Sequence, residues 1–438
     1  MVSVGGVNVT WAGYRYKRMR DGKWKNWLLL AVVIVVCLGA MEGMLRLFKP
    51  YSLTTRFLLP PNISVAFDTV EFNTRVTTNA AGMRGPTFTE MPASDSYRIV
   101  ALGDSFTFGW GVDDAETYPA QLETMLGKAG NKNVEVINAG RPGDGLPDYI
   151  RTLNNHVLRL KPEAVILGFL PSSDCPVGDP RTAIPETEIS ARTDAIIARA
   201  QKPWKKVRFY LSRMVTTHVS KPARRWLKAQ FRGDAAGEEV IRDPISGHGN
   251  PLDPVRLMPE IEAAGEAARQ RFARLKATGW IGMGQRWRVS PWLIRTAIFN
   301  PDFTGHALFE VPESIPSMTS QWRVCEGLIG HIAKTVREAG AAFHLLALTP
   351  GYLADPKFLA YRNQIGIRVP ASALQNTIID AEIDRMCQTD GLSCIRTLSP
   401  IRGAIDAGAK LFHTMDGHMT AAGNALIARL AAASIRTE

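Results

Sequence analysis

A chain of 438 residues, 45% apolar and 21% charged, is long enough for one large or two ordinary domains and too apolar for disorder on a large scale. No short repeat recurs, which excludes a solenoid, and the five cysteines form neither a CxxC pair nor a Cys/His cluster at zinc-ligand spacing, so no metal and no other cofactor is expected. The net charge of +11 would suit a nucleic-acid partner, but the placement of the charge argues against one.

The chain opens on a basic segment, residues 1–26, in which Arg15, Lys17, Arg18, Arg20, Lys23 and Lys25 face the single acid Asp21. From Trp27 to Met41 every residue is apolar or glycine, and continuing to Leu47 gives about 31 Å of helix at ~1.5 Å per residue. Residues 27–47 therefore read as one transmembrane helix, with Glu42 near its far end where a carboxylate reaches the headgroups. Only Arg46, Lys49 and Arg56 lie around the far flank, so the positive-inside rule leaves the N-terminus in the cytoplasm and exports everything after about Tyr51, as in a bacterial inner-membrane protein facing the periplasm. A cleaved signal peptide is the alternative, since Cys37-Leu38-Gly39 resembles a small-residue cleavage site; both readings export the rest.

Residues 48–96 form a Pro- and Thr-rich linker with an extended stretch, Thr69 to Thr78, and a turn-like run from Asn79 to Pro86. The pattern then becomes strand and helix in alternation. Tyr97 to Leu102, Val134 to Asn138 and Ala164 to Leu170 read as buried strands, Thr117 to Lys128 and Leu146 to Leu160 as helices. The same grammar returns with helices at Ile329 to Ala339, Ala371 to Cys387 and Thr420 to Ser434, and strands at Ala342 to Thr349 and Ser393 to Leu398. Continuous apolar strands separated by helices imply a parallel sheet covered on both faces.

Residues 97–178 and 320–438 are thus two halves of one domain, and residues 179–319 a largely helical, basic insertion. Within it, Gln201 to Gly233 carries basic residues from Lys202 to Arg232, interleaved with Trp204, Phe209 and Trp226, and no acid. That composition suits an anionic membrane surface or a polyanionic glycan, or else a solvated helix face.

Three segments carry chemistry. Gly103-Asp104-Ser105-Phe106 follows the first strand, where open α/β sheets place their ligands. Asn138 to Gly145 is a Gly-rich loop able to bring backbone N–H groups to an oxyanion. Asp416-Gly-His418 places a carboxylate and an imidazole on one loop, the base and orienting partner that a serine hydroxyl needs. The other histidines read as surface or core, with His344 inside an apolar strand as core. Cys387 and Cys394 either close a short disulfide loop in an oxidising compartment or stand as two buried thiols.

With these segments in order, the chain resembles the SGNH/GDSL hydrolase family, in particular its membrane-anchored bacterial members. Gly103 to Gly111 matches the family's first block, Asn138 to Gly145 its second and Asp416 to Gly423 its last, while Thr77 to Gly85 resembles the lead-in of such members. The resemblance implies a three-layer α/β/α sandwich with a flavodoxin-like sheet. It implies Ser105 as nucleophile, His418 as general base, Asp416 as its orienting acid, and an oxyanion hole formed by the N–H groups of Ser105 and Gly143. The third block normally supplies an Asn side chain to that hole; here the loop is Gly168 to Asp174, with Ser172 or Ser173 in its place.

The expected activity is that of an exported serine esterase or O-acyltransferase acting on acyl, chiefly acetyl, esters of glycans. Lipid esters are the other substrate class, and the bilayer and membrane proteins of a polysaccharide pathway are the expected partners. A non-catalytic subunit that keeps the fold to bind glycan or dock in a membrane complex is the rival, favoured by the missing Asn and opposed by Ser105, Asp416 and His418.

Overall fold

The computed structural model describes residues 23–48, 59, 61–129, 133–175, 184–201, 250–302 and 315–435. The basic stretch 201–233 lies, after its first residue, outside the described residues, as do the first 22 residues and their charges. The chain divides into two compact units, Met1–Arg56 with Trp204–Gly237, and Phe57–Pro203 with Glu238–Glu438.

Of the first unit one element is described, helix α1 (Lys23–Phe48), into which the apolar run from Trp27 falls. Among the described residues no helix is long and apolar enough to cross a membrane; the described side chains of α1 lie between Asn26 and Ala40, short of the roughly 20 apolar residues a span takes. Cys37 is a free, exposed thiol within this helix.

The second unit begins with an antiparallel hairpin, β1 (Ser64–Asp68) and β2 (Asn73–Thr77), paired from Ser64 with Thr77 to Asp68 with Asn73. The extended stretch read at Thr69 to Thr78 is thus half of a hairpin whose other strand the sequence did not announce. Burial alternates along its five-residue strands, but one reads Val-Ala-Phe in a run and the other holds Val76 as its single apolar residue, so no period of two registers in the sequence. Five parallel strands follow: β3 (Ser96–Gly103), β4 (Asn133–Gly140), β5 (Ala164–Phe169), β6 (Ala342–Ala347) and β7 (Ser393–Arg396). Their spatial order is β4-β3-β5-β6-β7, the doubly wound arrangement whose order reverses beside β3.

Successive side chains of a strand point to opposite faces, and both faces here are covered. Val100, Leu102, Val165, Leu167 and Leu345 pack against α4 (Leu146–Thr152), α6 (Glu186–Gln201), α11 (Ile315–Glu338) and α13 (Ile378–Thr389). Ile99, Ala101, Ala164, Ile166 and Leu346 pack against α3 (Tyr118–Ala129), α14 (Leu398–Asp406) and α15 (Ala421–Ser434). That makes three layers around a parallel sheet.

The described part of the insertion is not one body. Helix α6 joins the main core through Ala200, while α7 (Pro254–Ala264), α8 (Glu266–Ala277), α9 (Trp280–Gln285) and α10 (Pro291–Phe299) build a separate apolar cluster. That cluster also takes in Phe358, Leu359 and Ile365 from α12 (Pro356–Ile365), a helix between β6 and β7 that the sequence reading passed over. Two disulfides are present: Cys387–Cys394, with Cα atoms 6.2 Å apart, and Cys175–Cys325, with Cα atoms 5.5 Å apart across 150 residues of sequence. His344, expected in the core, is only partly buried near the start of β6 and its Nδ1 meets Ser393 Oγ at 2.8 Å. The first residues of that strand lie at the sheet's rim, where apolar sequence is no guarantee of burial.

Candidate active site

The short helix α2 (Ser105–Phe108) begins at the C-terminal edge of β3. Asp104 caps it, its Oδ1 accepting the N–H of Phe106 at 2.8 Å. Ser105 is the first helical residue, so its N–H has no intrahelical acceptor. The loop beyond is held by Arg84 of the lead-in: its guanidinium donates to the carbonyls of Phe108 (2.8 Å), Gly109 (2.5 Å) and Val112 (2.6 Å) and to Asp114 Oδ1 (2.7 Å). Asn138, at the end of β4, adds a bond from its amide to Phe108 O at 3.3 Å.

The Asp416 to His418 loop comes to the same edge from the far end of the chain. His418 Nε2 lies 2.7 Å from Ser105 Oγ, and His418 Nδ1 is hydrogen-bonded to Asp416 Oδ1. A carboxylate on Nδ1 fixes the tautomer that leaves Nε2 free to accept the Ser105 proton. Burial raises the Asp416 carboxyl, but the imidazole's charge and the bonds from His418 outweigh it and hold the group below its ordinary value. Gly417 makes the tight turn possible with φ +96°; a Cβ there would come within 2.6 Å of the Phe358 ring. Phe106 and Trp110 flank the imidazole, with ring centroids 5.0 and 6.1 Å away.

Gly143, in the turn after β4, has φ +80° and open space on its Cβ side, which leaves its N–H beside room for a substrate. Ser172, on the short helix α5 (Pro171–Asp174), is buried and lines a cavity of about 20 Å³ with Leu348, Thr349 and Pro350. The hydroxyl of Ser173 is committed elsewhere, donating to Asp174 Oδ1 at 2.8 Å. Beneath these loops sit three buried acids. Burial pushes Asp144 up to about 7 against the pull of Arg141, and it raises Asp174, with the charge of Asp104 adding to the effect. Asp104 is also raised by burial, against the Phe106 N–H and the charge of His418. Among the described residues no group of three or more His, Cys, Asp or Glu is placed to hold a metal.

Sequence reasoning missed the groups that hold the His418 loop. Glu71, at the hairpin tip, accepts the N–H groups of Met415 (2.8 Å) and Asp416 (2.7 Å) on one oxygen. His413 donates Nε2–H to Gly111 O at 3.0 Å, since a carbonyl only accepts, and stacks on Phe72 at 4.8 Å. Arg362, buried over the Phe358 ring at 4.2 Å, makes a long bond of 3.4 Å to Asp416 O. None of these belongs to a local motif; each acts on residues tens to hundreds of positions away.

Residues 101–275 match the model of the GDSL-like lipase/acylhydrolase family. No curated protein matches the chain. Among solved structures, the SGNH-hydrolase family esterase AlinE4 is 36% identical over 18% of this chain and 42% of its own, with a TM-score of 0.16. A lipase/acylhydrolase from Enterococcus faecalis is 12% identical over 77% of this chain and 94% of its own, with a TM-score of 0.35. A single-substitution variant of Axe2, an acetyl xylan esterase from Geobacillus stearothermophilus, is 10% identical over 80% of this chain and 100% of its own, with a TM-score of 0.32. Likenesses with TM-scores this low bear no weight for substrate. The match over residues 101–275, which takes in the Ser105 loop and the Gly-rich loop after β4, makes this part of the chain similar to the GDSL-like lipase/acylhydrolase family.

Proposed function

We propose that the protein is a membrane-anchored, exported serine esterase or O-acyltransferase that works on acyl esters of glycans through Ser105, His418 and Asp416. The observation that carries this reading is the 2.7 Å contact between His418 Nε2 and Ser105 Oγ, with Asp416 on the far nitrogen. Ser105 Oγ attacks the ester carbonyl while Nε2 takes its proton; the N–H groups of Ser105 and Gly143 receive the oxyanion. The imidazolium then returns the proton to the leaving alkoxide, and the acyl-enzyme passes its acyl group to water or to a second hydroxyl. Trp110, half-exposed beside the imidazole, offers an indole face on which a sugar ring can rest. The acetyl group is the choice that fits a site so closely walled by Phe106 and Trp110.

Anchoring and export rest on the sequence of α1 and its basic flank, and the two disulfides fit an oxidising compartment. The test of the activity is labelling of the purified protein with a fluorophosphonate, repeated with Ser105→Ala. Label on Ser105 and hydrolysis of an activated acetyl ester are expected, and their absence from the parent protein would end the reading. For the topology, a periplasm-only reporter fused after Glu438 should be active.

One observation favours the second reading, a scaffold without catalysis: Ser173, one of the two serines at the family's Asn position, gives its proton to Asp174. Removing one oxyanion donor typically lowers turnover by ~10²–10³. An enzyme that retains the Ser105 and Gly143 N–H groups would then be slow rather than dead, and a scaffold would not take the label at all.

A further inference from the structure

The tip of the lead-in hairpin, Thr69 to Phe72, is tied both to itself and to its neighbours. Thr69 Oγ1 accepts the N–H groups of Glu71 (3.1 Å) and Phe72 (2.9 Å), and Thr69 N donates to Phe72 O at 2.9 Å. From the helical cluster, Arg288 O accepts the N–H of Val70 at 2.9 Å, and the Arg288 guanidinium pairs with Asp68. The Glu71 carboxylate therefore projects from a fixed base. Its Oε2 takes two consecutive N–H groups, those of Met415 and Asp416, 344 and 345 residues further on. One oxygen bonded to the N–H groups of two successive peptide units fixes the backbone on both sides of Met415, and the Asp416 side chain departs directly from the second of them. On the other side of the same loop the buried Arg362 reaches Asp416 O.

We propose that Glu71 is a positioning residue for the acid–base pair: by holding the Met415–Asp416 peptide it aims Asp416 at His418 Nδ1, and so His418 Nε2 at Ser105. This rests on the catalytic reading above. What the site uses is an oxygen in that place, which accepts both N–H groups. The rest of the loop is poorly constrained by its own sequence, because Gly417 in the left-handed region has freedom that other residues lack.

The experiment compares the full-length protein in detergent with Glu71→Gln, which keeps an oxygen acceptor without charge, and with Glu71→Ala. Reactive sites are counted by fluorophosphonate titration, and the phosphonylation rate per site, kcat and KM are then measured. A displacement of about 1 Å in a catalytic group costs ~10²-fold, so Glu71→Ala should react and turn over about 10²-fold more slowly per titrated site. KM should stay within about twofold by the same reasoning, since substrate binding is not what is disturbed, and Glu71→Gln should stay close to the parent. A Glu71→Ala protein that reacts at the parent rate per site, even with fewer sites or a lower Tm, would make Glu71 a folding latch and overturn the proposal. So would a Glu71→Gln protein as slow as Glu71→Ala. If Glu71→Ala does not fold, Glu71→Asp carries the same comparison, because it keeps the charge and withdraws the oxygen by one carbon: slowing per site supports the proposal, and the parent rate overturns it. Absence of label on the parent's Ser105 would instead defeat the catalytic reading itself.

Discussion

The two sides of the Ser105–His418 contact are built in different ways. On the Ser105 side, Asp104 caps the helix that Ser105 begins, and Arg84 and Asn138 hold the following carbonyls from segments within about sixty residues of Ser105. On the His418 side, the loop from His413 to His418 is held by Glu71, Gly111 and Arg362, two of them more than 300 residues away in sequence. Ser105 is fixed by short-range, fully bonded groups, and His418 by side chains that only the completed fold delivers. Loss of tertiary order should therefore disable His418 before it disturbs Ser105.

The largest effects should erase the comparison altogether. Ser105→Ala and His418→Ala are each expected to lower turnover of an activated acetyl ester by ~10⁴–10⁶-fold, and the double variant to be little worse than either, because the residues act as a unit. Additive losses measured by steady-state kinetics would separate them into independent groups.

Next come the two arginines, which test the asymmetry in stability. Arg84 makes four short hydrogen bonds while nearly wholly buried, and breaking such a network by removing the charge typically costs about 3–5 kcal/mol. Arg362 has one long bond, and its Nε and Nη1 have no partner among the described groups; burial lowers its pKa to about 10. Arg362→Met should cost less than half as much as Arg84→Met in urea unfolding, and equal losses would refute the contrast.

A smaller effect is expected at the turn. Gly417→Ala places a Cβ against Phe358 with φ in the left-handed region, a strain of about 1–2 kcal/mol. It should lower kcat more than Tm, whereas Gly143→Ala, equally left-handed but facing open space, should move Tm by a similar amount.

The smallest effect concerns pH. The Asp144 carboxyl is raised to about 7 in the fold from about 3.9 in an unfolded chain. Between those values the folded state holds more protons than the unfolded one, so this group makes stability fall as pH rises toward 7 and adds nothing further above it. Asp144→Asn removes that slope: by calorimetry, its Tm relative to the parent should improve between pH 6 and pH 8, by the equivalent of about 1–2 kcal/mol.

Much of this architecture was legible beforehand, for a physical reason. The strands β3, β4 and β5 bury most of their residues and carry apolar runs, and the Gly-Asp-Ser and Gly-rich turns after β3 and β4 stand out against them. Ser105, Asp416 and His418, which the structure brings together, could be singled out because each belongs to a short run with a recognisable spacing. Glu71 lay in a hairpin tip of ordinary composition, and Arg362 in a stretch whose helix was not read at all. Their roles depend on a contact order that no local pattern encodes. Helix α12 escaped because its apolar residues face the inserted helices rather than the sheet, and the Cys175–Cys325 pair because 150 intervening residues hide it.

That long bridge has a topological meaning. Cys175 ends the loop after β5 and Cys325 lies in α11, which leads into β6, so the whole insertion is a ring sewn shut at its base. A protease cut anywhere between residues 176 and 324 would leave both fragments on one molecule until a reductant was added, with all five strands of the sheet still attached. Lengthening the ring also costs little, since each doubling of a loop adds only ~0.6 kcal/mol of closure entropy. Chain can thus be added within the ring at small entropic cost, while the strands that present Ser105 remain covalently fastened behind it.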